Sequence, residues 1–223
     1  MKFTGLSHHQ GKHVSIARYY PEGTIISSGL SKWCGAGGWR LGTFTFPPSL
    51  SWLLDAMAIV ASETYTATSA PIQYAAITAF NGSEQISRYL DFSRRILKTI
   101  AKYLGARFDK MNVSCPKPDG AFYLFPDFSY YTQKFHQKEI FTAVEFCDHL
   151  IEDTGIAMLP GSDFGRQPEE FTTRIAYVDF NGKKAMDAAK AYGDKPLDDL
   201  FVENNCKKLI IAFEKLEAWL KSL

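Results

Sequence analysis

Gly29-Leu30-Ser31-Lys32-Trp33-Cys34-Gly35-Ala36-Gly37-Gly38-Trp39-Arg40-Leu41-Gly42 sets one lysine ahead of a glycine-rich run that ends in one arginine. Short apolar or β-branched runs flank it, Thr24 to Ser28 before and Arg40 to Phe46 after, which predicts two buried strands joined by a tight loop. A lysine amine condenses with an aldehyde when a semi-enclosed site keeps it neutral often enough to attack, and Lys32 is the candidate. Gly35, Gly37 and Gly38 let the backbone approach a bulky anion, while Arg40 offers a planar fork that matches phosphate oxygens in pairs. The plain alternative is a solvated lysine in a turn and an Arg40 held in a surface ion pair.

Working outward, Pro47-Pro48 stops the second strand. Ser49 stands where it can cap a helix to about Glu63, in which Leu50, Leu53, Leu54, Met57 and Val60 recur at helical spacing. Pro71 opens a short apolar helix through Phe80, which Asn81-Gly82-Ser83 ends. Glu84 to about Phe108 is a long amphipathic helix, expected to connect two subdomains. Beyond it, Val113 to Phe128 reads as two extended pieces around a Pro-Asp-Gly turn. Thr142 to Asp153 reads as a helix ended by Gly155. Ile156 to Leu159 and Thr173 to Phe180 resemble strands, and Lys183 to Tyr192 and Asn204 to Leu223 resemble helices.

Composition narrows the chemistry. With 25 basic and 24 acidic residues the formal charge is +1, so no global field draws the chain to nucleic acid or an anionic membrane. No run approaches the ~18 consecutive apolar residues of a membrane span, and the polar start lacks the apolar stretch of a secretory signal. The four cysteines are widely spaced, as in a protein with reduced cytosolic thiols. A soluble cytoplasmic protein acting on small molecules is the expectation.

Gly-Leu-Ser-Lys32, two variable residues, Gly-Ala, then Gly-Trp-Arg40-Leu-Gly resembles, at every defined position, the pyridoxal-phosphate attachment signature of class I and II aminotransferases. Pro160-Gly161-Ser162-Asp163-Phe164-Gly165 resembles the family's PGxxFG turn, Gly120-Ala121-Phe122 its G-x-[FY] strand, and Ser62 to Gln73 the loop and helix after the lysine motif. The likeness runs through essentially the whole chain. It implies an α/β fold, the carboxyl-terminal part of a pyridoxal-phosphate-dependent transferase: a remnant of the large-domain sheet in residues 1–82, then a connecting helix and a small α+β domain in 83–223.

The resemblance implies that Lys32 is the Schiff-base lysine and proton shuttle, that Arg40 binds the cofactor phosphate, and that Arg174 binds the substrate carboxylate. Ser31 is assigned a phosphate contact, although in many members that hydroxyl stands three residues before the lysine, where this chain has Gly29. The cofactor is pyridoxal 5'-phosphate, the substrates an amino acid and a 2-oxo acid, and the active form a homodimer. The family's pyridine-nitrogen aspartate and its phosphate-binding helix start are not identifiable here. The chain therefore reads as a fragment of a longer enzyme, inactive on its own. A non-catalytic truncated or partner-binding protein, and a lyase or decarboxylase of the same fold, stay open.

Other signals are set aside. His9 and His13 are four residues apart, but Gly11 between them argues against a helical metal pair. Asp153-Thr154-Gly155 imitates an aspartic-protease triplet at a helix end, and the glycine run lacks the spacing of a dinucleotide loop. Trp33 and Trp39 are assigned to the core.

Overall fold

In a computed structural model, residues 6, 8, 14–65 and 67–223 are described. The histidine pair lies outside them. Two units divide the chain within one long helix, Met1–Asp91 and Phe92–Leu223.

In the first unit, β1 (Ile26–Gly29) and β2 (Gly42–Thr45) pair antiparallel as a two-stranded ribbon. Neither strand is buried as expected: Ile26 is 42% exposed and Phe44 58%, because nothing among the described residues covers the ribbon's faces. Its loop does find a core. Leu30, Trp33, Ala36 and Leu41 pack with Ala76, Ala79 and Leu90.

Helix α1 (Ser51–Thr64) follows a single turn at Pro48–Leu50. Ser49 lies inside that turn and donates its hydroxyl to the Glu22 carbonyl, so it does not cap α1; Leu50 holds the cap position with no side-chain bond. The apolar residues of α1 stand at the predicted spacing, yet none is buried. α2 (Ala70–Asn81) begins with proline in its first turn and stops at Gly82, whose φ of 74° a side chain would resist. α3 (Glu84–Lys110) turns its apolar stripe inward, with Leu90 in the first unit and Ile96, Ile100, Leu104 and Phe108 in the second.

The second unit is built on the antiparallel sheet β3-β5-β4, with β3 at Tyr123–Leu124, β4 at Leu159–Pro160 and β5 at Thr173–Ala176. These strands are shorter than the apolar runs suggest. Beside the Pro-Asp-Gly turn, single bridges from Ser114 to Asp127 and from Asp127 to Thr172 extend the ladder. β5 ends before Phe180, whose N–H turns back onto the Val178 carbonyl.

Helices α4 (Thr132–Gln137), α5 (Ala143–Thr154), α6 (Gly182–Tyr192), α7 (Asp199–Asn205) and α8 (Lys207–Ser222) complete the unit. The short α4 has no counterpart in the periodicity. The single helix expected from Asn204 is two, broken at Cys206, which is buried and leaves the helical region at ψ 40°.

An aromatic cluster holds this unit together. Phe135 sits 4.8 Å from Phe171 and 5.0 Å from Phe146, and Phe108 sits 4.9 Å from Phe213 between α3 and α8. Each such ring contributes about 1.5–3 kcal/mol by leaving water. The Trp219 indole completes the cluster and satisfies its N–H on Asp153 at 2.7 Å. Asp153-Thr154-Gly155 is thus a helix end, with Gly155 left-handed at φ 75°.

α5 starts with a reciprocal cap: Thr142 Oγ1 accepts from the Glu145 N–H, and the Glu145 carboxylate accepts from the N–H groups of Phe141 and Thr142. The Phe141 bond first, then those to Thr142, lower the carboxyl pKa from its ordinary 4.5. A lowered folded pKa means stability present above the unfolded value and lost as pH falls through the folded one. Glu145→Gln is expected to unfold at lower urea than the wild type at about pH 7, with the gap closing by about pH 3. A gap that persists in acid would remove the charge from the cap's account.

Candidate active site

Ribbon pairing decides where Lys32 stands. Gly29 opposes Gly42, and the Leu30 N–H donates to the Leu41 carbonyl at 3.2 Å, so both ends of the loop are tied at one point. Leu30 and Trp33 are then drawn into the core, with the Trp33 ring 5.9 Å from that of Phe80. Lys32, between these two anchors, is exposed. The N–H groups of Gly35 and Ala36 donate to the carbonyls of Lys32 and Leu30, both at 3.2 Å, and round the loop into a turn.

At the other end Arg40 has left-handed backbone, φ 52° and ψ 39°. A non-glycine residue there costs about 1–2 kcal/mol, and its neighbours hold it. Its guanidinium donates to the Gly37 carbonyl at 3.0 Å, and its carbonyl accepts from Thr68 Oγ1 at 3.2 Å. Gln73 reaches the Thr68 carbonyl at 2.6 Å, so the start of α2 braces the segment behind the arginine. Strained backbone retained by its surroundings is a recurrent mark of ligand sites.

Lys32, Arg40 and Ser31 line one concavity of about 470 Å³ together with Ser28, Gly29, Trp33, Leu41 and Gly42. Three of the four residues singled out from sequence therefore meet in one place. Among the described residues no carboxylate lines it. Cys34, two residues past the lysine, is half-buried, and burial raises its thiol pKa, which makes it a poor nucleophile. Ser28 was not legible as a lining residue, since only the ribbon register brings it there. Trp39 departs from expectation: it ends the Gly37–Trp39 turn 47% exposed, because that turn carries it away from the core that Trp33 enters.

The fourth residue, Arg174, belongs to the second unit. Along β5 and the two residues after it, Thr173, Ile175 and Tyr177 are buried, while Arg174 is half-buried and Ala176 and Val178 are exposed, the alternation of extended chain with one covered face. Its guanidinium carbon lies 4.6 Å from the Tyr123 ring centre and 4.2 Å from that of Phe164. Phe164 comes from the turn Gly161–Phe164 after β4. Gly161 is required there: its N–H donates to the Thr172 carbonyl at 2.7 Å, and a Cβ would stand 2.0 Å from Thr172 Oγ1.

The family profile described as aminotransferase class I and II matches residues 3–185. The chain is 35% identical over 171 residues to the aspartate aminotransferase of Bacillus subtilis (strain 168), covering 75% of this chain and 40% of that protein. To the asparagine–oxo-acid transaminase of Streptococcus mutans it is 33% identical over 175 residues, covering 77% of this chain and 42% of that protein. The aromatic aminotransferase structure from Pyrococcus horikoshii OT3 superposes with a TM-score of 0.71 at 28% identity, over 98% of this chain and 49% of that one. The chain thus spans less than half the length of these relatives.

Gly29 sets a limit on the phosphate corner, because a Cβ there would lie 2.8 Å from the Leu41 carbonyl oxygen, which is backbone and tied into the ribbon. Gly29→Ser, which restores the hydroxyl many family members carry three residues before the lysine, is expected to open the ribbon and lower stability by about 1–3 kcal/mol. Thermal unfolding checks this; an unchanged midpoint would show that the strands yield without cost.

Proposed function

The chain belongs to the class I and II aminotransferase family, and from that membership we propose that it carries the lysine-bearing part of an enzyme that moves an amino group between an amino acid and a 2-oxo acid with pyridoxal 5'-phosphate. One observation carries the reading: Lys32 and Arg40 line the same concavity, together with Ser28 and Ser31. That donor set fits the group, an amine for an aldehyde and a cation with hydroxyls for a phosphate. When bound, the cofactor supplies an electrophilic carbon and a ring that accepts electrons released at the substrate Cα.

The chain's own residues do the rest. Lys32 would hold the cofactor covalently through its amine, and the same amine would carry the proton to and from the substrate Cα. Its position between two buried anchors fixes where that amine can reach. Arg40 binds phosphate oxygens through the donors that Gly37 leaves over, and the glycine backbone gives the anion room. Ser31 adds a hydroxyl. Arg174 takes the substrate α-carboxylate with its fork.

In this reading residues 1–82 belong to the large cofactor-binding domain, and 83–223 form the connecting helix and small domain. Catalysis also needs an acid to keep the pyridine nitrogen protonated, and the concavity has no carboxylate among its described lining residues. Residues 1–223 alone are accordingly read as inactive, and the working enzyme as a cytoplasmic homodimer. Support for the compartment comes from the thiols: Cys34, Cys115, Cys147 and Cys206 are all free. Among the described residues no helix is long and apolar enough to cross a membrane.

Borohydride reduction of the native holoenzyme followed by peptide mapping is expected to place the cofactor on Lys32. Label on another lysine would overturn the assignment. In the same protein, Arg40→Ala is expected to weaken cofactor retention well beyond Arg40→Lys, since both lose the fork but only alanine loses the charge. Equal retention in the two variants would take Arg40 away from the phosphate.

A further inference from the structure

An arginine that must receive a carboxylate has a difficulty of its own: whatever fixes its side chain tends to consume its donors or cancel its charge. A buried carboxylate partner would do both. Arg174 is held in another way. Within its own unit, among the described residues, its guanidinium donates to no protein acceptor and forms no ion pair; its recorded contacts are the ring faces of Tyr123 and Phe164.

The sheet explains how the rings arrive. Tyr123 on β3 opposes Ala176 on β5, so it shares a face with Arg174 and stands diagonal to it. Phe164 comes from the other side in sequence, since Leu159 on β4 is the register partner of Arg174 and the turn Gly161–Phe164 follows directly. The Phe164 ring and the backbone leading to Tyr123 are themselves braced. Phe125 meets Phe164 edge to face, with centres 6.0 Å apart at 83°. The buried Tyr177 donates its hydroxyl at 3.0 Å to the carbonyl of Ala121, a non-glycine residue held at φ 60° two positions before Tyr123.

We infer that Tyr123 and Phe164 are positioning residues for Arg174, gripping the guanidinium by its faces so that its N–H edge and its full positive charge stay available to the substrate carboxylate. The inference rests on the reading of Arg174 as the carboxylate anchor. A ring face attracts the cation without taking an N–H and brings no negative charge, so it orients the group at no cost to its capacity to donate. The grip belongs to the aromatic face, so the Tyr123 hydroxyl is dispensable while the ring is not.

Steady-state kinetics of the holoenzyme and the proton spectrum of Arg174 Nε–H in the 223-residue chain together test this. Tyr123→Leu and Phe164→Leu are each expected to raise KM for the amino acid about 3- to 30-fold, the range of one cation–π contact. Change in kcat should stay within about threefold, as for an interaction present before and during the reaction. Tyr123→Phe and Phe164→Tyr should keep the wild-type KM. In the spectrum, ring currents should shift the Arg174 Nε–H signal upfield in the wild type and in the aromatic variants, and each leucine should release it. Arg174→Ala separates the two layers: an unchanged KM in that variant overturns the carboxylate reading itself. A raised KM in Arg174→Ala beside wild-type KM and an unmoved Nε–H signal in both leucine variants overturns the positioning inference alone. A loss in the leucine variants that falls on kcat rather than KM also overturns it.

Discussion

The tie between the two ends of the lysine loop, Gly29 against Gly42 with the Leu30 N–H on the Leu41 carbonyl, is the constraint on which the candidate site depends. It brings residues 31 and 40 to one mouth, and it needs glycine at 29 because the Leu41 carbonyl occupies the space of a side chain. Once the loop is closed, its apolar members have one way to leave water. Leu30, Trp33 and Ala36 turn into the core against Ala76, Ala79 and Leu90, and the polar members between them face out. Hydrophobic burial on either side of Lys32 therefore fixes where its backbone stands.

The second unit solves a different problem by a similar logic. Its antiparallel sheet is short and would be marginal alone. The rings of Phe108, Phe135, Phe146, Phe171, Phe213 and Trp219 supply the buried surface that fixes it, with α5 and α8 carrying several of them. On that footing β5 can give one face wholly to the core and use the other to present an arginine. The same alternation that buries Thr173, Ile175 and Tyr177 lifts Arg174 between aromatic neighbours. Under the proposed function, stability and recognition are divided between the two faces of one strand.

The first unit keeps a large apolar surface in contact with solvent. Trp52, Ile59 and Val60 on α1, Ile26 and Phe44 on the ribbon, and Trp39 in the loop are all exposed. Apolar area of this extent costs free energy for as long as it stays wet, and it marks surface suited to burial against other protein. It accords with a chain that spans less than half the length of the relatives it matches.

The sequence by itself determined the family, the lysine loop and the helices α1, α2, α3, α5 and α6, because each rests on local order: a fixed spacing, a helical period, a proline at a first turn, a glycine at a last one. Capping at Ser49, burial of the ribbon and a core place for Trp39 were misjudged for one reason. Each depends on which surface meets the element, and apolar content does not say whether a covering surface is present. Only the tertiary structure decided that Ser28 joins the concavity, that a helix breaks at Cys206, and that Tyr123 and Phe164 close on Arg174. Position 123 lies far from 164 and 174 along the chain, and antiparallel pairing together with the turn after β4 makes the three neighbours; register is a property of strands once paired, and no single run of sequence contains it.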